Sequence, residues 1–171
     1  YDMPAAIGAY FGAIALRGQQ RRVICIAGDG SIMMNLQELQ TIAHHRLPIK
    51  IFVLNNRGYL SIRGSQKNFF GRLAGEGPDS GVSFPDFVAV AIAFGIPARR
   101  LASADFPKQI EELLAIDGPY LCDVILDETQ GFEPRMSSRQ LEDGSIVTPP
   151  LDDMFPFLDR DELAENQLPN C

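Results

Sequence analysis

The chain has 171 residues, 46% of them hydrophobic, which is enough to bury the core of one α/β domain with a tail. A formal charge of −7, with no Lys/Arg-rich run interleaved with aromatic residues, argues against a nucleic-acid partner. Every long apolar stretch is interrupted well short of a membrane span and no signal peptide is visible, so we expect a soluble protein with no membrane partner.

The first predicted element is a helix rich in alanine and glycine, at residues 5–13. Its small side chains permit close approach to a neighbouring element. We expect most of them to pack against a sheet, with some surface left for a contact between subunits. The basic segment 17–22 then predicts a solvated turn.

The first strand is predicted at residues 23–27, an unbroken apolar run rich in β-branched side chains. It leads into Gly28-Asp29-Gly30-Ser31, where two glycines around an acid allow a sharp turn and close approach to a ligand. The apolar spacing of residues 35–45 predicts a helix whose N-terminus faces this loop and favours an anion. We expect the amides of Gly30 and Ser31 to bind diphosphate oxygens.

The second strand is predicted at residues 49–54 and ends on Asn55-Asn56-Arg57-Gly58. If the two strands are neighbours, the side chains of Asp29 and Asn56 converge near a main-chain oxygen of Gly58. These hard oxygen ligands suit Mg²⁺, which commonly shares its coordination with phosphate. The residues therefore predict a metal-bridged diphosphate at the carboxyl end of the sheet, with Asn55 stabilising the turn. A helix-capping role for Asp29 is the alternative.

The segment 57–83 is long, rich in glycine and weakly periodic, and predicts a loop. Beyond it we predict a helix capped by Ser83, an edge strand at 96–101, an amphipathic helix at 104–116 and a last strand at 120–126. The alternation of strands and helices predicts an α/β fold, a doubly wound parallel sheet with helices on both faces.

The tail, residues 127–171, is rich in turns and too short in periodic structure for a second domain. We therefore predict a domain over residues 1–126 and an irregular C-terminal arm over residues 127–171, a disordered extension being the alternative for the arm. Asp152 and Asp153 are expected in solvent, and residues 159–163 to cap a short final helix.

No catalytic residue is assigned, because no Ser-His-Asp, Cys-His or zinc-binding arrangement can be assembled. His44 and His45 are predicted at a helix C-terminus in solvent. Cys25 and Cys122 are expected as buried residues of strands; with Cys171 they form no disulfide framework, which favours the cytoplasm.

The Gly28–Ser31 and Asn55-Asn56 pair, one helix and strand apart, resembles the thiamine-diphosphate-binding motif. With residues 3–9 and 34–39, it is similar to the C-terminal domain of acetolactate-synthase-like enzymes, over nearly all of residues 1–126. The resemblance implies the thiamine-diphosphate-binding fold and thiamine diphosphate with Mg²⁺ as cofactors. The implied cofactor site comprises Gly28, Asp29, Gly30, Ser31, Asn56, Gly58, Tyr59 and Leu60, of which Asp29, Asn56 and Gly58 bind the metal. For Tyr59, Leu60 and Ile62, anchoring of the loop on the core is the alternative.

The implied activity is that of a lyase or transferase acting on 2-keto acids by decarboxylation and carboligation, with conversion of pyruvate to 2-acetolactate favoured. Another thiamine-diphosphate-dependent decarboxylase or hydrolase is the alternative within the same chemistry. A module that only binds a magnesium phospho-ligand is the alternative from another class.

The resemblance also implies that the chain is a fragment of a longer enzyme. The family's pyrimidine-binding domain and its activating glutamate are expected on another part of the polypeptide, so the fragment alone is expected to be inactive. Because family active sites form with the pyrimidine-binding domain of another subunit, the intact protein is expected to be a homodimer or homotetramer. In the family a C-terminal arm can close over the active site, and residues 127–171 resemble one version of it. Flavin binding in the family uses a middle domain, which lies outside this sequence.

Overall fold

The apolar runs of the sequence form four parallel strands, in the order β1-β2-β4-β3 across the sheet. These are β1 (Val23–Gly28), β2 (Ile49–Asn55), β3 (Ala98–Leu101) and β4 (Tyr120–Ile125). β1 pairs with β2 from Val23 opposite Ile49 to Gly28 opposite Leu54, so their carboxyl ends lie side by side. The computed structural model describes residues 1–101, 106–131, 133–141 and 143–166.

Helical segments connect and cover these strands. They are α1 (Asp2–Arg17), α2 (Asp29–Ile32), α3 (Glu38–His44), α4 (Leu60–Phe70), α5 (Phe87–Ala93) and α6 (Phe106–Ala115). Short 3₁₀ turns occupy Met33–Asn35 and Pro78–Ser80. No helix within the described residues is long and apolar enough to cross a bilayer.

The two faces of the sheet are covered by different helices. On one face, Ile49, Ile51 and Val53 of β2 pack in a core with residues of α1, α3 and α5. On the other face, Phe52 of β2 packs with Leu113 of α6 and its neighbours. Side chains of a strand alternate between faces, and this alternation separates the two cores. The doubly wound α/β fold is confirmed.

The outer strand β1 is covered on one face only by the described residues. Cys25 and Ala27 lie in the core, whereas Ile24 and Ile26 are 52% and 64% exposed. Parallel sheets are normally buried on both faces, so an apolar surface of this kind is unusual for a parallel strand.

Lys50 is the one charge in the middle of the apolar strand β2, and it is almost fully buried. Its Nζ donates to the carbonyls of Ile116, at 2.6 Å, and Gly118, at 2.7 Å, just beyond the C-terminal end of α6. Burial lowers the pKa of Lys50. The side chain thus satisfies carbonyls that the helix leaves without partners.

The chain divides into two units, Tyr1–Thr129 and Gln130–Cys171. In the second, β5 (Arg139–Gln140) pairs antiparallel with β6 (Ile146–Val147), and α7 spans Arg160–Asn166. The short final helix is confirmed.

Three local predictions are wrong. Within the predicted loop 57–83, residues 60–70 form α4, whose scarce apolar residues and central Gly64 hide the helical period. Asp86, not Ser83, caps α5, accepting from the amides of Val88 and Ala89. Asp153 is not solvated: it is 9% exposed, and Arg160 donates to both of its carboxylate oxygens, at 2.7 and 3.0 Å.

Cys25 and Cys122 are buried free thiols, as predicted, while Cys171 lies outside the described residues. Burial raises the pKa of each of the two thiols to about 11. An unfolded cysteine ionises near pH 9, so the folded chain holds these protons over an interval in which the unfolded chain releases them.

We therefore expect the free energy of unfolding to fall as pH rises from about 9 to 11, by on the order of 1–2 kcal/mol per buried thiol. Urea denaturation of the chain across this interval measures the slope. A Cys25→Ala, Cys122→Ala variant is the control and should lose this part of the slope. Equal slopes in the two proteins would contradict the burial of the thiols.

Candidate active site

The carboxylate of Asp29 joins the ends of β1 and β2. It lies in the first turn of α2, immediately after β1, and retains 1% of its accessible surface. Its Oδ1 accepts from the Gly30 amide at 2.7 Å, and its Oδ2 accepts from the Gly58 amide at 3.0 Å. A separate helical turn, α2, thus begins at Asp29, and the helix predicted over residues 35–45 is shorter and begins at Glu38. Through the Gly58 amide, Asp29 is hydrogen-bonded to the turn that follows β2.

Burial raises the pKa of Asp29, while hydrogen bonds from the amides of Gly58, Gly30 and Arg57, and to a smaller extent the nearby charge of Arg63, act in the opposite direction. Desolvation penalises a carboxylate that has no cation in contact with it. The site thus holds a buried acid whose negative charge is stabilised by backbone dipoles.

Arg57 gives the turn after β2 its shape. Its φ of 56° lies in the left-handed region, which costs roughly 1–2 kcal/mol for a residue with a side chain. Its amide donates to Asn55 Oδ1 at 3.2 Å, so Asn55 stabilises the turn as predicted. This conformation brings two successive amides, of Arg57 and Gly58, towards Asp29.

Asn56 is the polar side chain of the turn that has no partner. It is 8% exposed, and within the described residues no hydrogen bond joins its carboxamide to another protein group. The carboxamide is therefore available to a ligand at the end of β2, next to the strand whose end carries Asp29.

The oxygens at these strand ends fit a divalent cation. The amides that donate to Asp29 leave part of the lone-pair capacity of its carboxylate free, and the carboxamide of Asn56 is available. No group of three or more His, Cys, Asp or Glu converges within the described ranges. A cation here would therefore need amide and main-chain oxygens in addition to Asp29.

The other predicted cofactor residues surround this turn. The Ser31 hydroxyl donates to Asp2 Oδ2 at 2.5 Å. The Tyr59 ring packs on Gly30, where an added Cβ would lie 2.2 Å from the ring, and it meets Phe84 edge-on. Gly28 and Leu60 are half-buried. The assignment of these residues to a cofactor stays a prediction.

The two histidines lie outside the turns that carry Asp29 and Asn56. His44 ends α3 and His45 follows it, and both are exposed, as the sequence predicted. They stack edge-on against each other rather than facing a polar partner.

A buried acid on β4 was missed by sequence reasoning. Asp123 is fully buried and accepts from Asn55 Nδ2 at 2.8 Å and from Arg100 Nε at 2.9 Å. Arg100 also pairs with Asp86 at 3.1 Å. These residues adjoin a cavity of about 500 Å³ at the carboxyl end of the sheet, lined in part by Asn55, Arg57, Phe84 and Arg100. The available signal was a charged residue inside an otherwise apolar strand.

A second missed feature is the ion pair of Arg63 with Glu76, which lies behind Gly58. The side chains are 10% and 6% exposed, and Nε lies 2.5 Å from Oε2. Its sequence signal was weak, because Arg63 lies in a segment that lacks an apolar period and Glu76 among glycines.

Comparison with known families identifies one that matches most of the chain. Residues 1–124 match the family model described as the thiamine pyrophosphate enzyme, C-terminal TPP binding domain.

Curated relatives and a solved structure agree with that match. The acetolactate synthase large subunit of Cyanidium caldarium is 38% identical over 139 residues, 80% of this chain and 23% of the relative. The acetolactate synthase isozyme 2 large subunit of Escherichia coli (strain K12) is 36% identical, over 78% of this chain and 23% of the relative. The thiamine diphosphate-dependent 4-hydroxybenzoylformate decarboxylase of Rhodococcus jostii superposes with a TM-score of 0.62 at 32% identity, over 75% of this chain and 23% of that chain. The chain thus spans about a quarter of the length of these relatives.

Gly58 is a position where the turn requires glycine. A Cβ there would lie 2.3 Å from Arg63 Nη2 and 2.5 Å from the Glu76 carbonyl. We expect Gly58→Ala to lower the free energy of unfolding by about 1–3 kcal/mol, as overpacking does.

Gly64→Ala is the matched control for this experiment. No atom lies within 4 Å of its added Cβ, and the position is inside α4, so the stability should stay the same or rise by up to about 1 kcal/mol. Denaturant unfolding of both variants measures the difference; equal effects would contradict the close packing around Gly58.

Proposed function

This chain belongs to the thiamine pyrophosphate enzymes, and from that membership we propose that it is the cofactor-binding domain of an acetolactate-synthase-like enzyme acting on 2-keto acids. The proposed cofactors are thiamine diphosphate and Mg²⁺. The favoured reaction is decarboxylation of pyruvate and carboligation to 2-acetolactate, in keeping with the names of the relatives.

One observation carries the proposal beyond the family match. The buried carboxylate of Asp29 and the partnerless carboxamide of Asn56 follow adjacent parallel strands, joined through the Gly58 amide. Ligands of open α/β sheets bind at this end of the strands. We assign Asp29, Asn56 and the Gly58 carbonyl to the cation, and the backbone of Gly28 and Ser31 to the diphosphate. Gly30 belongs to the same cofactor turn, but its amide donates to Asp29 Oδ1 and so orients the metal ligand.

When bound, thiamine diphosphate would supply a carbanion as nucleophile for the carbonyl of a 2-keto acid, and a ring able to accept the electron pair left when carbon dioxide departs. The domain's own residues do the anchoring. The amides of Gly30 and Gly58 hold the Asp29 carboxylate in one orientation, so that its remaining lone pairs are directed before any cation arrives. The Tyr59 ring, packed on Gly30, shields this backbone from water.

A decarboxylase of aromatic 2-keto acids is the second candidate. It is favoured by the likeness to the 4-hydroxybenzoylformate decarboxylase, which is 32% identical to this chain. Assay of the complete polypeptide with pyruvate and benzoylformate separates the two. Acetolactate formed from pyruvate supports the first, and carbon dioxide released from benzoylformate alone supports the second.

We further propose that residues 1–126 act as the binding domain and residues 127–171 as an arm. The intact enzyme is then at least a dimer whose sites include the pyrimidine-binding domain of another subunit. The exposed Ile24 and Ile26 support a longer polypeptide, because further residues covering them would complete the burial of β1. The two buried free thiols agree with a cytoplasmic location.

Removal of either proposed side-chain ligand tests the site in the complete polypeptide. We expect Asp29→Asn and Asn56→Ala each to weaken Mg²⁺-dependent retention of thiamine diphosphate by about 100-fold or more, measured by equilibrium dialysis, because ligands matter at least as much as the groups behind them. Asp117→Asn is the control, since Asp117 is exposed and precedes β4 at the opposite end of the sheet. Normal retention in both ligand variants would overturn the assignment.

The 171-residue chain by itself should release no carbon dioxide from pyruvate, even with Mg²⁺ and thiamine diphosphate at saturation. The activating carboxylate implied by the family lies on another domain, so this chain can anchor the cofactor without activating it. A carbon-dioxide assay on the chain checks this, with the complete polypeptide as the positive control; turnover by the chain alone would contradict it.

A further inference from the structure

Arg63 and Glu76 form a buried ion pair that joins three segments of the first unit. Arg63 lies in α4, and Glu76 lies in the turn before Pro78–Ser80. The guanidinium donates through Nε to Glu76 and through Nη1 to the Glu128 carbonyl at 2.8 Å, beyond the end of β4. Burying two charges is costly unless the geometry satisfies them.

The backbone around the pair is fixed as well. The Glu76 carbonyl accepts from the Tyr59 amide at 2.8 Å. The Glu76 amide donates to Ser80 Oγ at 2.8 Å. Both the side chain and the main chain of Glu76 are therefore held, and Glu76 in turn holds the residue that follows Gly58.

The pair packs directly on Gly58. A Cβ on this residue would collide with Arg63 Nη2 on one side and with the Glu76 carbonyl on the other. The Gly58 amide donates to Asp29 Oδ2 at 3.0 Å. A continuous series of contacts thus runs from the ion pair through Gly58 to the carboxylate.

The charge of the pair matters at this short range. Glu76 neutralises the guanidinium, and without it an uncompensated positive charge would lie against the turn and repel a divalent cation. Arg63 in turn prevents Glu76 from being a second unpaired buried carboxylate.

We propose that Arg63 and Glu76 are positioning residues for the cation site, holding Gly58 where its amide orients Asp29 while adding no net charge. This inference rests on the proposed function, because it concerns the same site. Neither side chain touches the cation; they act through Gly58.

The test measures how much Mg²⁺ the complete polypeptide needs to retain thiamine diphosphate. We expect Glu76→Gln and Arg63→Met to raise the Mg²⁺ concentration at half-maximal retention by about 10-fold or more, as is typical of residues behind metal ligands. Retention at saturating Mg²⁺ should return to the wild-type level. Arg63→Lys keeps the charge but loses the second hydrogen bond, and should lie between the wild type and Arg63→Met.

The control is Arg99→Met. Arg99 pairs with Glu112 at 3.7 Å, and the two side chains are 35% and 55% exposed. The Arg99→Met substitution should therefore leave the Mg²⁺ requirement unchanged. If the single variants do not fold, an Arg63→Met, Glu76→Met variant removes both charges at similar volume and leaves none unpaired. It too should need at least about 10-fold more Mg²⁺, because Gly58 loses its fixed support.

Wild-type Mg²⁺ dependence in folded pair variants, with Asp29→Asn still defective, would overturn this inference alone. Wild-type retention in Asp29→Asn and Asn56→Ala would overturn the proposed site and this inference together. A raised Mg²⁺ requirement in the Arg63 and Glu76 variants, but not in Arg99→Met, supports both the proposed cation site and this inference.

Discussion

The carboxylate of Asp29 is the constraint on which the site depends. It takes one amide from its own helical turn and one from the turn after β2, and so connects the ends of two neighbouring strands. A carboxylate with two oxygens is suited to this role, since each oxygen can accept an amide and still face a cation. The parallel register of β1 with β2 brings the two turns to the same level, and without it the side chain could not reach both.

The electrostatics of this contact explain why a cation fits there. Burial disfavours the charged form of Asp29, and hydrogen bonds from backbone amides recover part of the lost solvation free energy. Among the described residues, no cationic side chain makes a hydrogen bond to this carboxylate. A divalent ion would offset the remaining desolvation penalty, so the burial that disfavours the charged carboxylate also favours binding of the ion. The strained φ of Arg57 belongs to this arrangement, because strain of this kind persists where the surrounding structure fixes the backbone.

Most of the fold followed from apolar patterning, because a parallel sheet buried on both faces produces short apolar runs that the sequence displays directly. The adjacency of Asp29 with the turn at Asn56 followed for the same reason, since each comes directly after such a run.

Residues whose placement depends on tertiary contacts could not be predicted. α4 has little apolar period and includes Arg63, which is buried only because Glu76 reaches it from a distant turn. Asp153 is buried by Arg160 in the same way. An ion pair between distant residues leaves no periodic trace in a sequence.

The two ends of the sheet use buried charge differently, and this difference locates the function. At the amino end, Lys50 only satisfies the carbonyls beyond α6, so its charge completes a helix terminus. At the carboxyl end, Asp123 holds Asn55, and the pair of Arg63 with Glu76 holds Gly58. Each of these buried groups supports the backbone turn that carries Asn56 rather than a helix end. A protein that needed only stability could replace such groups by apolar residues at little cost. Their concentration behind one turn is therefore best explained by the need to keep that turn in a single conformation for a ligand.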